Sequence, residues 1–235
     1  MRTSMEKYSA ANTVAGRVLA VRERIEQARR RAGRRGKVTL VAVGKTQPAS
    51  RLLQAYLAGV RHFGESYLQE ALPKQEALGH CDITWHFIGP IQSNKTRSIA
   101  AGFHWVHGVD RVKIARRLSD QRPPWLPPLN VCLQVNVSGE ASKAGVAPEA
   151  LEELVEAVIR LPRLRLRGLM TIPARAEDDE ARRAPFQRLR QLMEALSLSG
   201  VDTLSMGMSA DLEAAVEEGA TLVRVGTGIF GPRGG

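Results

Sequence analysis

The chain has 235 residues, of which 43% are hydrophobic and 25% are charged. These proportions exclude a disordered chain, and the length suits one large domain. The 34 lysine and arginine residues outnumber the 24 aspartate and glutamate residues, so the formal net charge is +10. No apolar run is long enough to cross a bilayer and the N-terminus lacks the apolar core of a secretory signal, so we expect a cytoplasmic protein without membrane association.

The first 36 residues are basic and amphipathic, with ten lysine or arginine residues against three glutamates. Between residues 10 and 31, apolar side chains recur at the spacing of one helix face, at Val14, Val18, Val21, Ile25 and Ala28. We therefore predict a first domain over residues 1–36, a basic amphipathic helix that packs on the rest of the chain. Such a segment can bind nucleic acid, but few aromatic residues are interleaved for base stacking, which favours a solvated cationic face.

After residue 36 the pattern changes to short apolar runs separated by longer amphipathic segments. This alternation is typical of the strands and helices of a parallel sheet. The predicted strands are residues 38–44, 60–65, 84–89, 103–109, 129–138, 164–172, 202–207 and 221–226. Predicted helices between them include residues 49–58, 148–160 and 177–198.

Eight parallel strands are the number that closes a barrel and removes the exposed edges of an open sheet. The sequence therefore predicts an α/β fold, a single (β/α)8 TIM barrel over residues 37–235 with the N-terminal helix as an addition. The alternative is an open doubly wound sheet, but no GxGxxG motif follows the first predicted strand.

The loops after the last two strands carry the features of a phosphate site. Barrels of this kind place their active sites at the carboxyl ends of the strands and often bind phosphate after strands seven and eight. Ser209 is a candidate cap for the helix that follows strand seven. Gly226 and Gly228 let backbone amides approach an anion, and Thr227 adds a hydroxyl donor. The alternative is that these residues only cap a helix and form turns.

Two basic residues at strand ends extend this site. Lys45 follows the first strand, where its amine could form an imine with an aldehyde if burial lowers the pKa of the ammonium. The alternative is a surface lysine whose stem lies along the barrel. Arg224 lies on the last strand, where a buried guanidinium needs an anion or another acceptor; a structural ion pair is its alternative.

Several long motifs resemble one protein family. They are VAVGKTQPA, HFGESYLQE, WHFIGPIQSNKTR, VNVSGEASKAGV, RGLMTIP and LSMGMSADLEAAVEEGATLVRVGTGIFG, which cover most of residues 38–231 in the expected order. The chain is identified by them as a member of the YggS and PROSC family of pyridoxal 5′-phosphate (PLP) homeostasis proteins. The resemblance implies a barrel like the N-terminal domain of alanine racemase, with PLP as the cofactor.

The resemblance also implies roles for individual residues. Lys45 would carry PLP as a Schiff base, and Arg224 would face the pyridine nitrogen, where its charge disfavours protonation of that nitrogen. The phosphate and ring would be bound by Ser66, Met206, Ser209, Gly226 and Thr227. In the second-strand motif this chain has FGESY where the family usually has FGENY, so Ser66 replaces an asparagine and loses one polar atom of the amide.

The resemblance implies a non-catalytic protein of PLP homeostasis that holds the cofactor reversibly and buffers it or delivers it to apo-enzymes that need PLP. Racemases of this fold take a tyrosine from a second domain, and the chain ends at Gly235, about nine residues after the last predicted strand. We therefore expect no enzyme activity. As a separate prediction, we expect a monomer. The alternative is a weak PLP-dependent amino-acid racemase that uses Lys45 with Tyr67 or His86.

Other polar residues have weaker assignments. Lys95 and Lys143 could accept the aldehyde during exchange, or could be surface residues. Cys81 and Cys132 show no metal-ligand spacing and are expected to be reduced, packed thiols. His104 and His107 have no nearby carboxylate partners in the sequence, so we expect structural histidines and no metal site.

Overall fold

The computed structural model describes residues 12–140, 143–174, 176 and 178–232. Within these residues, eight parallel strands form one closed barrel in chain order, and the last strand pairs with the first. This closure confirms the predicted (β/α)8 barrel. The open doubly wound sheet is wrong, because the pairing of the last strand with the first leaves the sheet without edges.

The observed strands match the eight predicted ones, and each is shorter than its prediction. The runs extend beyond the strands because apolar residues of the adjoining loops are buried too. The strands are β1 Thr39–Val43, β2 His62–Glu65, β3 Thr84–Phe87, β4 Trp105–Val109, β5 Leu129–Gln134, β6 Leu164–Met170, β7 Thr203–Ser205 and β8 Leu222–Val225.

Helices follow the strands around the outside of the barrel. They are α1 Val14–Arg31, α2 Ala49–Leu57, α3 Leu68–Ala77, α4 Thr96–Gly102, α5 Val112–Gln121, α6 Leu151–Ile159, α7 Asp179–Leu196, α8 Leu212–Glu217 and α9 Thr227–Phe230. Single 3-10 turns, Ser93–Lys95 and Pro148–Ala150, precede α4 and α6. Of the helix predicted over 177–198, residue 177 lies outside the described residues.

The N-terminal helix α1 begins after Thr13, whose hydroxyl accepts a hydrogen bond from the amide of Gly16 at 3.0 Å. Its buried residues are the five predicted from the spacing, Val14, Val18, Val21, Ile25 and Ala28. They pack against α2, α8 and α9. Residues 1–11, including the predicted start at residue 10, lie outside the described residues. The division of the chain at residue 36 stays a prediction.

Two arginines of α1 form ion pairs with carboxylates of α8. Arg24 contacts Glu213 at 2.6 Å, and Arg31 contacts Glu217 at 2.8 Å. These pairs join α1 to α8, so part of the positive charge of the N-terminal segment is neutralised within the fold.

The main apolar core lies between the strands and the surrounding helices. Fully buried side chains there include Phe63, Leu133 and Leu169 from the strands and Leu118 from α5. The barrel interior is different, because it contains buried polar groups among a few apolar ones. Strand residues alternate between these two environments, as expected for a pleated barrel.

Both cysteines are free thiols, Cys81 half-buried and Cys132 fully buried. Burial raises the pKa of the Cys132 thiol to about 12, so this side chain is a neutral packing group. Among the helices of the described residues, none combines the length and apolarity needed to span a membrane.

Candidate functional site

A cavity of about 690 Å³ lies at the carboxyl ends of the strands. Its walls come from the ends of β1, β3 and β8 and from the loops after β2, β6 and β7. Six of the seven residues predicted from the sequence line it, namely Lys45, Ser66, Ser209, Arg224, Gly226 and Thr227. Met206 is the exception, because it is fully buried in the apolar core and does not line the cavity.

Lys45 reaches the cavity from the turn that ends β1. Gly44 closes the strand by donating its amide to the carbonyl of Gly64 at 2.9 Å. The Lys45 side chain is half-buried, less than the sequence interpretation required, and its Nζ lies 4.7 Å from the centroid of the Tyr67 ring. This contact places the amine over an aromatic face at the edge of the cavity, where it stays within reach of a bound molecule.

The turn at Lys45 rests on a buried ion pair that sequence reasoning missed. Lys74 of α3 donates from Nζ to Glu65 Oε1 at 2.9 Å and to the carbonyl of Gly44 at 2.8 Å. Thr46, in the left-handed region at φ 63°, donates its amide to Glu70 Oε2 at 2.8 Å. The residues on both sides of Lys45 are thereby tied to one charged cluster.

Glu65 is fully buried in this cluster, and burial raises the pKa of its carboxyl to about 7. Its Oε2 atom has no hydrogen-bond partner within the described part of the chain, so the ionised form is only partly compensated. A side chain at Gly44 would meet Oε1 of the same carboxylate, which is why glycine precedes Lys45. No local pattern marks this pair, since Glu65 ends a strand and Lys74 lies nine residues later on a helix.

Ser209 contacts the last strand's loop instead of capping a helix. Helix α8 begins at Leu212 after Asp211, so the predicted role of Ser209 as its cap is wrong. The Ser209 hydroxyl accepts a hydrogen bond from the amide of Gly228 at 3.0 Å. Ser209 lies two residues before the cap position, which Asp211 occupies, and its hydroxyl instead connects the loop after β7 to the loop after β8.

Asp211 and Arg24 form hydrogen bonds with the backbone of the loop after β7. Asp211 Oδ1 accepts the amide of Met208 at 2.5 Å, and Arg24 of α1 donates to the carbonyl of Ser209 at 3.0 Å. With Gly226 and Thr227 opposite, this end of the cavity presents hydroxyl and backbone donors around one space. Such a donor set suits a phosphate group.

Arg224 lies at the floor of the cavity and is 3% exposed. It donates from Nη1 to Ser205 Oγ at 2.6 Å and from Nη2 to the carbonyl of Thr171 at 2.9 Å. Burial lowers the pKa of its guanidinium to about 10, which leaves it charged at neutral pH. No carboxylate within the described ranges forms an ion pair with it, so the structural ion pair considered from the sequence is wrong.

The two acid–base candidates of the racemase alternative lie in different places. Tyr67 is 47% exposed and contacts Lys45. His86 is fully buried inside the barrel, does not line the cavity, and has both ring nitrogens bonded to other histidines. A role for His86 at the cavity is therefore wrong.

Neither of the two other lysines lines the main cavity. Lys95 ends the 3-10 turn Ser93–Lys95 and lines a separate cavity of about 210 Å³, which Tyr67 also lines and which shares Ser66 with the main cavity. Lys143 is half-buried, and its carbonyl accepts a hydrogen bond from Asn136 Nδ2 at 3.4 Å.

Sequence reasoning also missed several residues that line the main cavity. Ile88 lies two positions after His86, on the same face of the strand, and strand periodicity could have identified it. Ile172 and Pro173 follow β6, and Arg182 reaches the cavity from α7. Arg182 carries no local signal, because only the packing of α7 brings it there.

The family model for the alanine racemase N-terminal domain matches residues 17–234. An alanine racemase from Corynebacterium glutamicum superposes on the chain with a TM-score of 0.64 at 17% identity, covering 92% of this chain and 62% of that one. The fold and cavity thus define a barrel of the alanine racemase N-terminal-domain class.

Relatives with higher sequence identity show to which family within this class the chain belongs. A pyridoxal phosphate homeostasis protein from Pseudomonas aeruginosa is 61% identical over 223 residues, 94% of this chain and 96% of that one. One from Escherichia coli is 49% identical over 233 residues, 94% and 97% of the two chains. PipY from Synechococcus elongatus, solved with PLP bound, has a TM-score of 0.82 at 35% identity, covering 93% of this chain and 100% of that one. The chain belongs to the family of pyridoxal phosphate homeostasis proteins.

Proposed function

We propose that this protein binds PLP reversibly at the cavity and acts in PLP homeostasis as a carrier that buffers or delivers the cofactor. The observation that carries the proposal is the placement of Lys45, Arg224 and the donors of the last two loops around one cavity of about 690 Å³. A primary amine at one side and phosphate donors at the other fit an aldehyde that bears a phosphate. The PLP-bound structure of PipY supports the same reading.

Each residue has a proposed task toward the cofactor. PLP supplies an aldehyde that condenses with a primary amine and releases water, and Lys45 offers the amine at the cavity's edge. Ser209, Gly226 and Thr227 bind the phosphate with hydroxyl and amide groups. Arg224 donates toward the pyridine nitrogen, which as an acceptor stays unprotonated beside a permanent positive charge.

The remaining predicted residues have smaller tasks. Ser66 offers one hydroxyl beside the ring, where an asparagine would offer two polar atoms. Met206 supports the loop after β7 from the apolar core rather than contacting the cofactor, because it is fully buried there.

A carrier fits this cavity better than a racemase. Racemisation needs a second acid–base group on the face of the cofactor opposite Lys45. The buried position of His86 removes one candidate, and Tyr67 lies beside Lys45 itself with nearly half its surface in solvent. Lys45 is only half-buried and Tyr67 is 47% exposed, so water reaches this side of the cavity, which disfavours chemistry on a reactive intermediate.

The proposed setting is the cytoplasm, with apo-enzymes that need PLP as recipients and the protein as a monomer. Nucleic acid is not a proposed partner. Arg24, Arg29 and Arg31 of α1 are each bound to a glutamate, which leaves fewer free cations for phosphate backbones.

The direct test is covalent labelling. Protein loaded with PLP, reduced with borohydride and mapped by mass spectrometry should carry the cofactor on Lys45. Before reduction, loaded protein should show an absorption band at longer wavelength than the protein's own absorption, and this band should be absent in Lys45→Ala. Lys95→Ala and Lys143→Ala are matched controls and should keep the label on Lys45. Labelling spread over surface lysines, with Lys45 unmodified, would refute the proposal.

Delivery needs a separate measurement. Protein loaded with PLP is mixed with an apo-enzyme that requires PLP. The rate at which the apo-enzyme regains activity is measured with and without a scavenger of free PLP. Recovery that persists with the scavenger supports direct transfer. Recovery that falls to the rate of spontaneous release would leave buffering as the function.

A further inference from the structure

Three imidazole rings form a continuous chain inside the barrel, below the cavity. His62 begins β2 and is half-buried, whereas His86 of β3 and His107 of β4 are fully buried. His62 Nδ1 lies 3.0 Å from His86 Nε2, and His86 Nδ1 lies 2.9 Å from His107 Nε2. We call these three residues the histidine column.

The upper end of the histidine column reaches Arg224 through one hydroxyl. His107 Nδ1 lies 2.7 Å from Ser205 Oγ, which accepts the hydrogen bond from Arg224 Nη1 at 2.6 Å. Ser205 comes from β7 and Arg224 from β8, so side chains of five strands meet in one line of hydrogen bonds. No residue of this line except Arg224 lines the cavity.

Burial favours the neutral form of all three rings of the histidine column, because it lowers the pKa of each. Burial lowers the pKa of His86 well below its usual value and that of His107 to about 3, and the charge of Arg224 acts on His107 in the same direction. A neutral imidazole has one N–H and one bare nitrogen. Because each contact joins two ring nitrogens, one must donate and the other accept, and the tautomer of one ring determines the tautomers of the others.

Ser205 determines the direction of the whole line. Its oxygen already accepts from Arg224, and within the described part of the chain its only other hydrogen-bond partner is His107. If His107 also donated, the serine proton would have no acceptor. The serine hydroxyl therefore donates to His107 Nδ1, and all three rings carry their proton on Nε2.

This direction strengthens the hold on Arg224. A hydroxyl that donates a hydrogen bond becomes a better acceptor, because hydrogen bonds in a chain polarise one another. Ser205 holds Nη1 and the carbonyl of Thr171 holds Nη2, so both ends of the guanidinium plane are restrained at the cavity floor.

We propose that the histidine column and Ser205 are positioning residues that fix the plane and the free donor direction of Arg224 toward the pyridine ring of PLP. This inference rests on the proposed function, because Arg224 acts here only through a bound cofactor. In this role His86 and His107 act only through Arg224. They bind no metal and transfer no proton at the cavity.

The direction of the line is tested without cofactor. A long-range ¹H–¹⁵N correlation spectrum of histidine-labelled protein should show a bare Nδ1 and a protonated Nε2 for His62, His86 and His107. His104 is an internal reference, since its Nδ1 accepts the amide of Trp85 at 3.0 Å and is bare by necessity. A proton on Nδ1 of His107 would overturn the assignment.

The effect on the cofactor is tested with paired variants. His107→Leu removes the acceptor of the serine proton, and we expect PLP affinity to fall about threefold to tenfold, the effect of one hydrogen bond, with a shift of the cofactor's absorption band. His107→Asn keeps an acceptor near Nδ1 and should recover most of the affinity. His104→Asn, outside the histidine column, should match the wild type.

A folding defect and a failure of the proposed function can both be distinguished from a failure of the positioning role. If thermal unfolding shows that His107→Leu does not fold, Ser205→Ala takes its place; it removes the acceptor of Arg224 Nη1 itself and predicts at least the same loss, while the tautomer spectrum tests the histidines. Unchanged affinity and an unchanged band in a folded variant would refute the positioning role. Failure of the proposed function would appear differently, as wild-type protein without reduced PLP on Lys45, while the tautomers remain measurable.

Discussion

Lys74 and Glu65 form a buried ion pair, 2.9 Å from Nζ to Oε1, directly beneath the turn that carries Lys45. The same ammonium binds the carbonyl of Gly44, so the pair connects a helix, a strand and the residue before Lys45. The position of the amine at the cavity therefore depends on charges that have no contact with the cavity.

Lys74→Met should lower the free energy of unfolding by about 3 kcal/mol, because it leaves the Glu65 carboxylate buried without its cation. Urea denaturation measures the loss. The exposed Lys113, changed to Met, is the matched control and should stay within about 0.5 kcal/mol of the wild type. The double variant Glu65→Gln with Lys74→Met should recover part of the stability. A single variant as stable as the control would contradict the structural role of the pair.

Glu65 should make the protein less stable as the pH rises. Burial raises the pKa of its carboxyl from 4.5 to about 7, so within this window the folded protein holds a proton that the unfolded chain has released. Proton linkage then lowers the free energy of unfolding with rising pH, by at most about 3 kcal/mol. Glu65→Gln should lack this contribution.

The histidines with lowered pKa act in the opposite direction. The stability that His86 and His107 contribute is present above pH 6.5 and is lost as the pH falls through their folded pKa values. Wild type and Glu65→Gln share these groups, so the difference between their unfolding free energies isolates Glu65. A difference that does not change across the window would show that Glu65 is ionised throughout.

Ser209→Ala should weaken PLP binding about threefold to tenfold while the label on Lys45 is kept, since the change removes one hydroxyl and leaves the Gly228 amide without its acceptor. Titration followed by the cofactor's absorption measures the affinity. Ser50→Ala, on the exposed side of α2, is the matched control. Equal affinities in both variants would place the phosphate elsewhere.

Arg24→Gln should speed the release of PLP with little change in stability. Arg24 is a third exposed, so its ion pair with Glu213 contributes about 1 kcal/mol or less, but it also holds the carbonyl of Ser209. Stopped-flow release into excess scavenger measures the rate. Arg30→Gln, whose glutamate partner lies on the same helix, should release PLP at the wild-type rate. Equal rates for the two variants would mean that α1 does not restrain the loop.

Much of the fold could be predicted from local signals. The alternation of apolar runs and amphipathic segments gave eight strands in the right order, and the spacing in α1 identified its five buried residues. The predicted strand ends were less accurate, since apolar loop residues such as Val135 are as buried as the strand itself. The cavity residues could be predicted because parallel strands place their carboxyl ends on one rim.

By itself, the sequence determined the barrel, the order of its eight strands and the candidates around Lys45, because periodicity and turn residues act over a few neighbouring positions. Only the tertiary structure decided that Ser209 binds Gly228, that Lys74 lies beneath the Lys45 turn, and that His86 lies in a column instead of the cavity. These contacts join residues far apart in the chain. They exist only once the register of all eight strands is set and the barrel is closed, and no local pattern carries that information.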